Sequence, residues 1–461
     1  MRQNDTIAAI STALSPGGIG IVRISGERAI EIGDAVFEAR SGRKLADCKS
    51  HTIHFGYALN EKGERLDTVL TAIMRAPRSY TGEDTVEVNC HGGILVLQSV
   101  LAAAIAAGAN LAEPGEFTKR AFLNGKMDLV QAEAVIDVIE AEGNAALKAG
   151  ERQLQGDLSE RIRQLREELR YEIAYIEAAL DDPEHYDLTG YPEELQKKTE
   201  KVKERIDSLI RRADSGIRLR SGIRTVILGR PNAGKSSIYN LLTRSNSAIV
   251  TEIAGTTRDT LTEHIRLSDV SIQLTDTAGL RESDDLVEKI GVDRARAAAE
   301  DADLILCVID GSHPLEDEDY DLLNYVNRKQ TIILFNKSDL FRGEEADPEE
   351  IRRICSAPVI IFSAAEGTGL QELEDTIKNM FYRGVFEHTD EVLITSMRHK
   401  QALQAASRSL ENVLDSIRQE MPEDFFSIDL TAAYEALGTI LGETVGDEII
   451  DEIFSRFCMG K

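Results

Sequence analysis

Apolar positions recur along this chain with different periods in different segments, and each period predicts a different kind of structure. Residues 1–120 mix short β-rich runs at 20–24, 68–74 and 85–89 with glycine-bearing turns and one apolar helix near 93–107, an α+β pattern. From about Leu129 to Leu180 the chain has no proline and is rich in Ala, Glu, Leu and Arg. Its apolar residues are spaced three and four apart, which predicts a long helical stretch. Strand-like and helix-like runs then alternate at 225–228, 236–242, 271–275, 304–309, 331–335 and 359–362, the mark of a largely parallel sheet wrapped by helices. After about Phe386 the helical period returns, over 395–419 and 428–457. Helical material on both flanks predicts an α/β unit inserted into a helical domain. The expected fold is thus multi-domain, α+β and α/β: an N-terminal α+β domain at 1–120, helical segments at 121–220 and 382–461, and an α/β domain with a mostly parallel sheet at 221–381.

Composition narrows this picture. At 461 residues the length fits about three domains. The formal charge is −27, and no segment holds the basic excess typical of nucleic-acid binding, so contact with RNA requires a local patch or a partner. The most apolar stretch, 94–109, is interrupted by Gln98 and Ser99 and falls short of the ~20 residues of a membrane span. It reads as a buried helix. Residues 1–10 carry no signal pattern, so a cytoplasmic address and no membrane association are expected. Cys48, Cys90, Cys307, Cys355 and Cys458 form no Cys-x-x-Cys pair, against a zinc ribbon or a disulfide framework.

The candidate chemistry begins at Gly229-Arg-Pro-Asn-Ala-Gly234-Lys235-Ser236, a phosphate-loop pattern placed directly after an apolar strand and opening a helix. The glycines let backbone N–H groups curl round a β-phosphate, within a GTP-contacting run of Asn232, Ala233, Gly234, Lys235, Ser236 and Ser237. Lys235 reaches the β and γ oxygens, and the Ser236 hydroxyl can ligate Mg²⁺. Asp276-Thr277-Ala278-Gly279 ends the next strand, putting a carboxylate by the metal and a glycine N–H where a γ-phosphate binds. Asn336-Lys337-Ser338-Asp339 follows at another strand end. There the Asp339 carboxylate accepts from guanine's N1–H and exocyclic amine, which adenine does not present, so GTP is preferred over ATP. Ser363-Ala364-Ala365 completes the base clamp. The motifs in this order predict a GTPase. Leu280 stands where small signalling GTPases carry a water-orienting glutamine, so another group must orient water and supply positive charge.

Taken together the residues resemble the MnmE or TrmE family of tRNA-modification GTPases. The resemblance covers essentially the whole chain. It is carried by Asn4-Asp-Thr-Ile7, Gly17-Gly-Ile-Gly-Ile-Val-Arg-Ile-Ser-Gly26, Thr81-Gly-Glu-Asp84, Gly92-Gly93, Pro114-Gly-Glu-Phe117, Arg120-Ala-Phe-Leu-Asn124, Ile253-Ala-Gly-Thr-Thr-Arg-Asp259 and the terminal Phe457-Cys458-x-Gly460-Lys461. It implies K⁺-dependent hydrolysis, with K⁺ held by Asn232, Thr251, Ile253 and Thr256 where an arginine finger would act, in a GTP-contacting loop of Thr251, Glu252, Ile253, Ala254, Gly255, Thr256 and Thr257. Thr257 joins Ser236 at Mg²⁺, and Glu288 orients the attacking water. The same resemblance implies a reduced-folate site (5,10-methylene or 5-formyl tetrahydrofolate) at Arg23, Glu87, Lys126 and Lys461, and a part for Cys458 in the chemistry or in placing Lys461. It further implies a homodimer formed through the N-terminal domain and a flavoprotein partner, MnmG (GidA), in a heterotetramer that modifies carbon 5 of the wobble uridine of certain tRNAs.

Blander readings stand beside these. Asn232 also suits a tight turn, Glu288 a solvated helix start, Arg23 and Glu87 the solvent face of a strand, and Lys126 the end of a turn after Gly125. Cys458 also fits an inert buried thiol, and His91 a structural histidine at a turn. A ribosome-assembly or regulatory GTPase switch would use the same nucleotide motifs without a folate site.

Overall fold

A computed structural model of the chain describes residues 5–141, 143–182, 184–186, 189–244, 262–267, 270–275, 298–343, 346–382 and 392–461. It divides into two units: Met1–Ile136 with Gln153–Asp181 and Leu430–Lys461, and Asp137–Arg152 with Asp182–Asp429.

The first unit is built on β1 (Ile7–Ile10), β2 (Gly17–Ser25), α1 (Ala29–Val36), β3 (Phe37–Ala39), β4 (Thr52–Leu59), β5 (Arg65–Met74), β6 (Thr85–Gly92), α2 (Ile94–Ala106), β7 (Asn110–Leu111) and α3 (Glu116–Leu123). Its sheet runs β3-β4-β5-β6-β2-β1-β7, antiparallel except for the β1–β7 pair. Val22, Ile24, Val86 and Val88 point to the face covered by α1 and α2, where they meet Ile32, Leu97 and Val100. Each such side chain, fully buried, contributes about 1.5–3 kcal/mol. The alternation then fixes the opposite face, on which Arg23 stands opposite Glu87. α2 is the helix expected to be buried, yet only Leu97, Val100, Ala103 and Ala104 are, while Leu95 is 79% exposed. A helix lying on one sheet face has an outer side whatever its composition.

The helical stretch expected over 129–180 is divided into α4 (Leu129–Ile139), α5 (Asn144–Gln155) and α6 (Asp157–Asp181). The second break is Gly156, whose φ of 96° is a left-handed conformation that ends a helix.

In the second unit α7 (Tyr191–Ser221) runs directly into the nucleotide-type sheet, with only Gly222 between it and β8 (Ile223–Gly229). There follow α8 (Lys235–Arg244), β9 (Thr262–Leu267), β10 (Val270–Thr275), β11 (Leu304–Asp310), α9 (Asp317–Val326), β12 (Thr331–Asn336), α10 (Pro348–Ile354), β13 (Val359–Ile361), α11 (Leu370–Phe381) and α12 (Met397–Arg418). Strand order is β13-β12-β11-β8-β10-β9, parallel but for the antiparallel β9 edge. The last turn of α7 is tied to this sheet's own elements: Tyr382 Oη donates to the Arg218 carbonyl at 3.3 Å, Gln273 Nε2 donates to the Ser221 carbonyl, and Arg218 approaches Asp303 at 3.7 Å. Helices from the two flanks pack together here. Lys400 on α12 meets Asp214 on α7 at 2.5 Å, and Ser407 donates to Asp207 at 2.6 Å.

The chain closes with α13 (Glu423–Leu441) and α14 (Asp447–Ser455). In the first unit Arg166 of α6 lies over the Tyr434 ring at 4.0 Å and meets Glu443 at 2.5 Å, while Phe454 and Phe457 pack against Leu129 and Phe122. Among the described residues no helix is long and apolar enough to cross a membrane.

Candidate functional site

The phosphate loop leaves the end of β8 between β10 and β11, the crevice at strand C-termini where open α/β sheets bind ligands. Asn232 sits at φ 61°, a left-handed turn position that asparagine tolerates better than most residues. Lys235 Nζ donates to the carbonyls of Gly229 and Arg230 at 2.8 and 2.7 Å, which holds the ammonium inside the loop it serves. Ala233 and Gly234 complete the loop, and Ser236 and Ser237 lie in the first turn of α8, whose N-terminal N–H groups favour an anion.

The base loops meet the phosphate loop through Asn336. Its Nδ2 donates to the Ala233 carbonyl at 2.8 Å and its Oδ1 accepts from the Ala364 N–H at 3.1 Å, so one buried side chain fixes both neighbours. Lys337, at φ 66°, carries its ammonium to Asp310 Oδ2 at 2.6 Å. Burial alone would raise the Asp310 pKa, but hydrogen bonds from Lys337 and Ser312 outweigh it and hold the carboxyl below its usual range. Ser363 Oγ donates to Asp339 Oδ1 at 2.6 Å, presetting the carboxylate expected to read guanine. Ala365 follows in the same loop. Thr251, Glu252, Ile253, Ala254, Gly255, Thr256, Thr257, Asp276, Thr277, Ala278, Gly279 and Glu288 lie outside the described residues.

On the open face of the first sheet, Arg23 Nε donates to Glu87 Oε1 at 2.8 Å, and the guanidinium lies 5.6 Å from the Tyr80 ring and 5.5 Å from the Phe117 ring. The C-terminal tail comes to the same place. Ser11 Oγ and Arg23 Nη1 both donate to the Gly460 carbonyl, at 3.0 and 3.3 Å. Gly460 has φ 89°, and a Cβ there would stand 2.2 Å from the Ile10 carbonyl oxygen, so only glycine lets the tail seat. Burial, and after it the Arg23 charge, pushes the Lys461 ammonium below the usual lysine value, with Glu87 and Cys458 pulling the other way.

Arg23, Glu87 and Lys461 thus converge. Lys126 is exposed and donates to the Pro77 carbonyl at 3.0 Å. Cys458 is exposed, whereas Cys48, Cys90, Cys307 and Cys355 are buried. His91 is held twice by Asp67, through its N–H at 2.8 Å and Nδ1 at 2.7 Å. Tyr80 and Phe117 were not singled out as site residues, although each adjoins or belongs to a motif, Thr81-Gly-Glu-Asp84 and Pro114-Gly-Glu-Phe117. Their signal was an aromatic at a motif edge. The site on this face offers a cation, a carboxylate and the partly buried Tyr80 ring, with the fully buried Phe117 ring backing Arg23, a set that fits an anionic, ring-bearing ligand such as a folate.

Comparison with known proteins agrees across the whole chain. The profile of the MnmE helical domain matches residues 129–458, and that of the GTP-binding protein TrmE N-terminus matches residues 6–126. A tRNA modification GTPase MnmE of Lachnoclostridium phytofermentans is 51% identical over 460 residues, covering 100% of both chains. The protein of the same name from Bacillus subtilis is 44% identical over 99% of this chain and 100% of its own. Among solved structures, the G domain of the T. maritima FeoB iron transporter is 26% identical over 34% of this chain and 96% of its own, at a TM-score of 0.26, too low to carry weight. With full-length identity of this order and both profiles in sequence, the chain belongs to the MnmE (TrmE) family of tRNA modification GTPases.

Proposed function

We propose that this GTP-hydrolysing enzyme works in a K⁺-dependent cycle and, with a flavoprotein partner of the MnmG (GidA) kind, places an aminomethyl or carboxymethylaminomethyl group on carbon 5 of the wobble uridine of certain tRNAs. Residues 1–120 serve as the folate and dimerisation domain, 221–381 as the GTPase domain, and 121–220 with 382–461 as the helical domain and tail. The address is the cytoplasm. The observation that carries this reading is the convergence of Arg23, Glu87 and the terminal Lys461, from opposite ends of a chain that also holds the GTP loops.

When bound, a tetrahydrofolate derivative supplies the one-carbon unit. Arg23 and Lys461 then attract its carboxylates, Glu87 accepts from its ring N–H groups, and Tyr80 and Phe117 flank Arg23. Lys126 would supply a further cation for the glutamyl tail in this reading, and the exposed Cys458 takes part in the chemistry or positions the protein's own tail. At the GTPase site Lys235 neutralises β and γ oxygens, Ser236 and Thr257 hold Mg²⁺, and Glu288 orients water. Asn232, Thr251, Ile253 and Thr256 would hold K⁺, whose charge would offset that developing between the β and γ phosphates. Ile53 and Phe55 on β4 and Leu70 on β5 stand exposed, with Phe55 directly opposite Leu70, an apolar strip suited to a second copy of the chain.

Digestion of total tRNA from a strain lacking the gene, followed by mass spectrometry, tests the whole reading. The aminomethyl-type uridines are expected to vanish and to return with the intact gene but not with a copy ending before Cys458; an unchanged nucleoside profile would move the function to ribosome assembly or regulation. The cation role has its own measurement. Hydrolysis in KCl is expected to exceed that in NaCl at equal ionic strength by about 100-fold, the scale of losing one fixed charge-stabilising group, and equal rates would remove K⁺ from the mechanism.

A further inference from the structure

Arg230, the second residue of the phosphate loop, is surrounded by carboxylates from a single neighbouring segment. Its Nη2 meets Glu316 at 2.6 Å, its Nε meets Glu318 at 3.0 Å and its Nη1 meets Asp319 at 3.0 Å. All three lie at the start of α9. Asp319 is committed to that helix end as well, since its Oδ2 accepts from the Glu316 N–H at 3.0 Å in a capping box. The segment that leads into α9 from β11 reaches the other half of the site. Asp310 holds the Lys337 ammonium, and the Gly311 N–H donates to the Asn336 carbonyl at 2.9 Å.

We propose that residues 310–319, the connection from β11 into α9, are a brace that positions both halves of the nucleotide site, the phosphate loop through Arg230 and the base loop through Asp310 and Lys337. Arg230 in this role is a positioning residue. Its own carbonyl accepts from Lys235 Nζ at 2.7 Å and from the Ala233 N–H at 3.3 Å, so the direction of its backbone sets where the phosphate-binding lysine waits and where the loop turns. Fold stability accounts for only part of the arrangement. Asp319 is 7% exposed and its pair can hold the helix start, but Glu316 and Glu318 are 63% and 71% exposed, and pairs so open to water contribute little. A planar guanidinium gripped from three directions does lose its rotational freedom, and a lysine ammonium at the same place has no fork to be gripped.

The test uses the full chain and titration with a fluorescent GDP analogue, steady-state GTP hydrolysis and thermal unfolding without nucleotide. Arg230→Met is expected to weaken GDP binding about tenfold and raise the KM for GTP in step, a change of one decade in affinity. kcat at saturating GTP stays within about threefold, since the loss falls on binding shared by ground and transition states. Arg230→Lys recovers only part of the affinity. In Glu316→Gln/Glu318→Gln, the further change Arg230→Met costs less than it does alone, because it removes a partner already weakened, whereas Arg230→Met with Asp310→Asn is near additive, because the two hold different loops. GDP affinity and KM within about twofold of the parent in Arg230→Met, whatever the unfolding temperature, would reduce the contact to a surface ion cluster and overturn the proposal. Should Arg230→Met fail to fold, Arg230→Lys and the Glu316→Gln/Glu318→Gln pair carry the same comparison, and unchanged affinity in both overturns it equally.

Discussion

Asp339→Asn is expected to turn a GTP-binding protein into one that prefers xanthosine triphosphate, with GTP affinity lowered by about 100-fold or more. In the base loop Ser363 fixes the Asp339 carboxylate from one side at 2.6 Å, leaving it to accept from the guanine edge. Two hydrogen bonds to a charged acceptor are worth about 1.5–3 kcal/mol each; an amide keeps an oxygen for N1–H, now uncharged and weaker, but sets its NH₂ against guanine's amine, so one bond is lost and donor faces donor. Xanthine carries a carbonyl where guanine carries its amine, and the amide can donate to it. Competition of unlabelled XTP and GTP against a fluorescent guanine nucleotide measures the switch. Retained GTP preference would mean that Asp339 does not read the base.

The second large effect is expected at the tail. Gly460→Ala should unseat the last residues, because the new Cβ would lie 2.2 Å from the Ile10 carbonyl oxygen and the residue would have to hold φ 89°. Either the backbone moves or the hydrogen bonds from Ser11 and Arg23 to the 460 carbonyl are lost. A left-handed alanine alone costs about 1–2 kcal/mol, and the clash adds to it. In this chain GTP hydrolysis should remain near the parent rate, while folate binding measured by calorimetry falls at least about tenfold and the modified wobble uridines disappear from tRNA. Unchanged folate affinity would separate the tail from the ligand site on the sheet.

These two sites were legible in the sequence to very different degrees. The phosphate loop, Asn336-Lys337-Ser338-Asp339 and Ser363-Ala364-Ala365 are each local, a few residues at the end of an apolar strand, and backbone spacing alone brings their groups into place. Arg23 and Lys461 are local to nothing. They meet because the chain's last turn returns to β1 and β2, and only the resemblance to a family named them together. β4 escaped the hydrophobic pattern for a related reason: Ile53 and Phe55 are exposed on the open sheet face, so the strand lacks the alternation of apolar inside and polar outside. The helix breaks near 143 and 156 were hidden by the good helix formers on either side. Arg230 was visible as a letter in the motif, but its three carboxylates lie 86 to 89 positions further on.

The joint between α7 and β8 has a mechanical consequence. With its last turn held by Tyr382, Gln273 and Asp303, the helix is an axle fixed in the hub of the nucleotide sheet. At 31 residues it is about 46 Å long. A tilt of about 10° at the hub would sweep the far end through roughly 8 Å by simple leverage along a rod of that pitch. Because Lys400 and Ser407 tie α12 to the same helix, a tilt of that size would carry the helical pair together, not α7 alone.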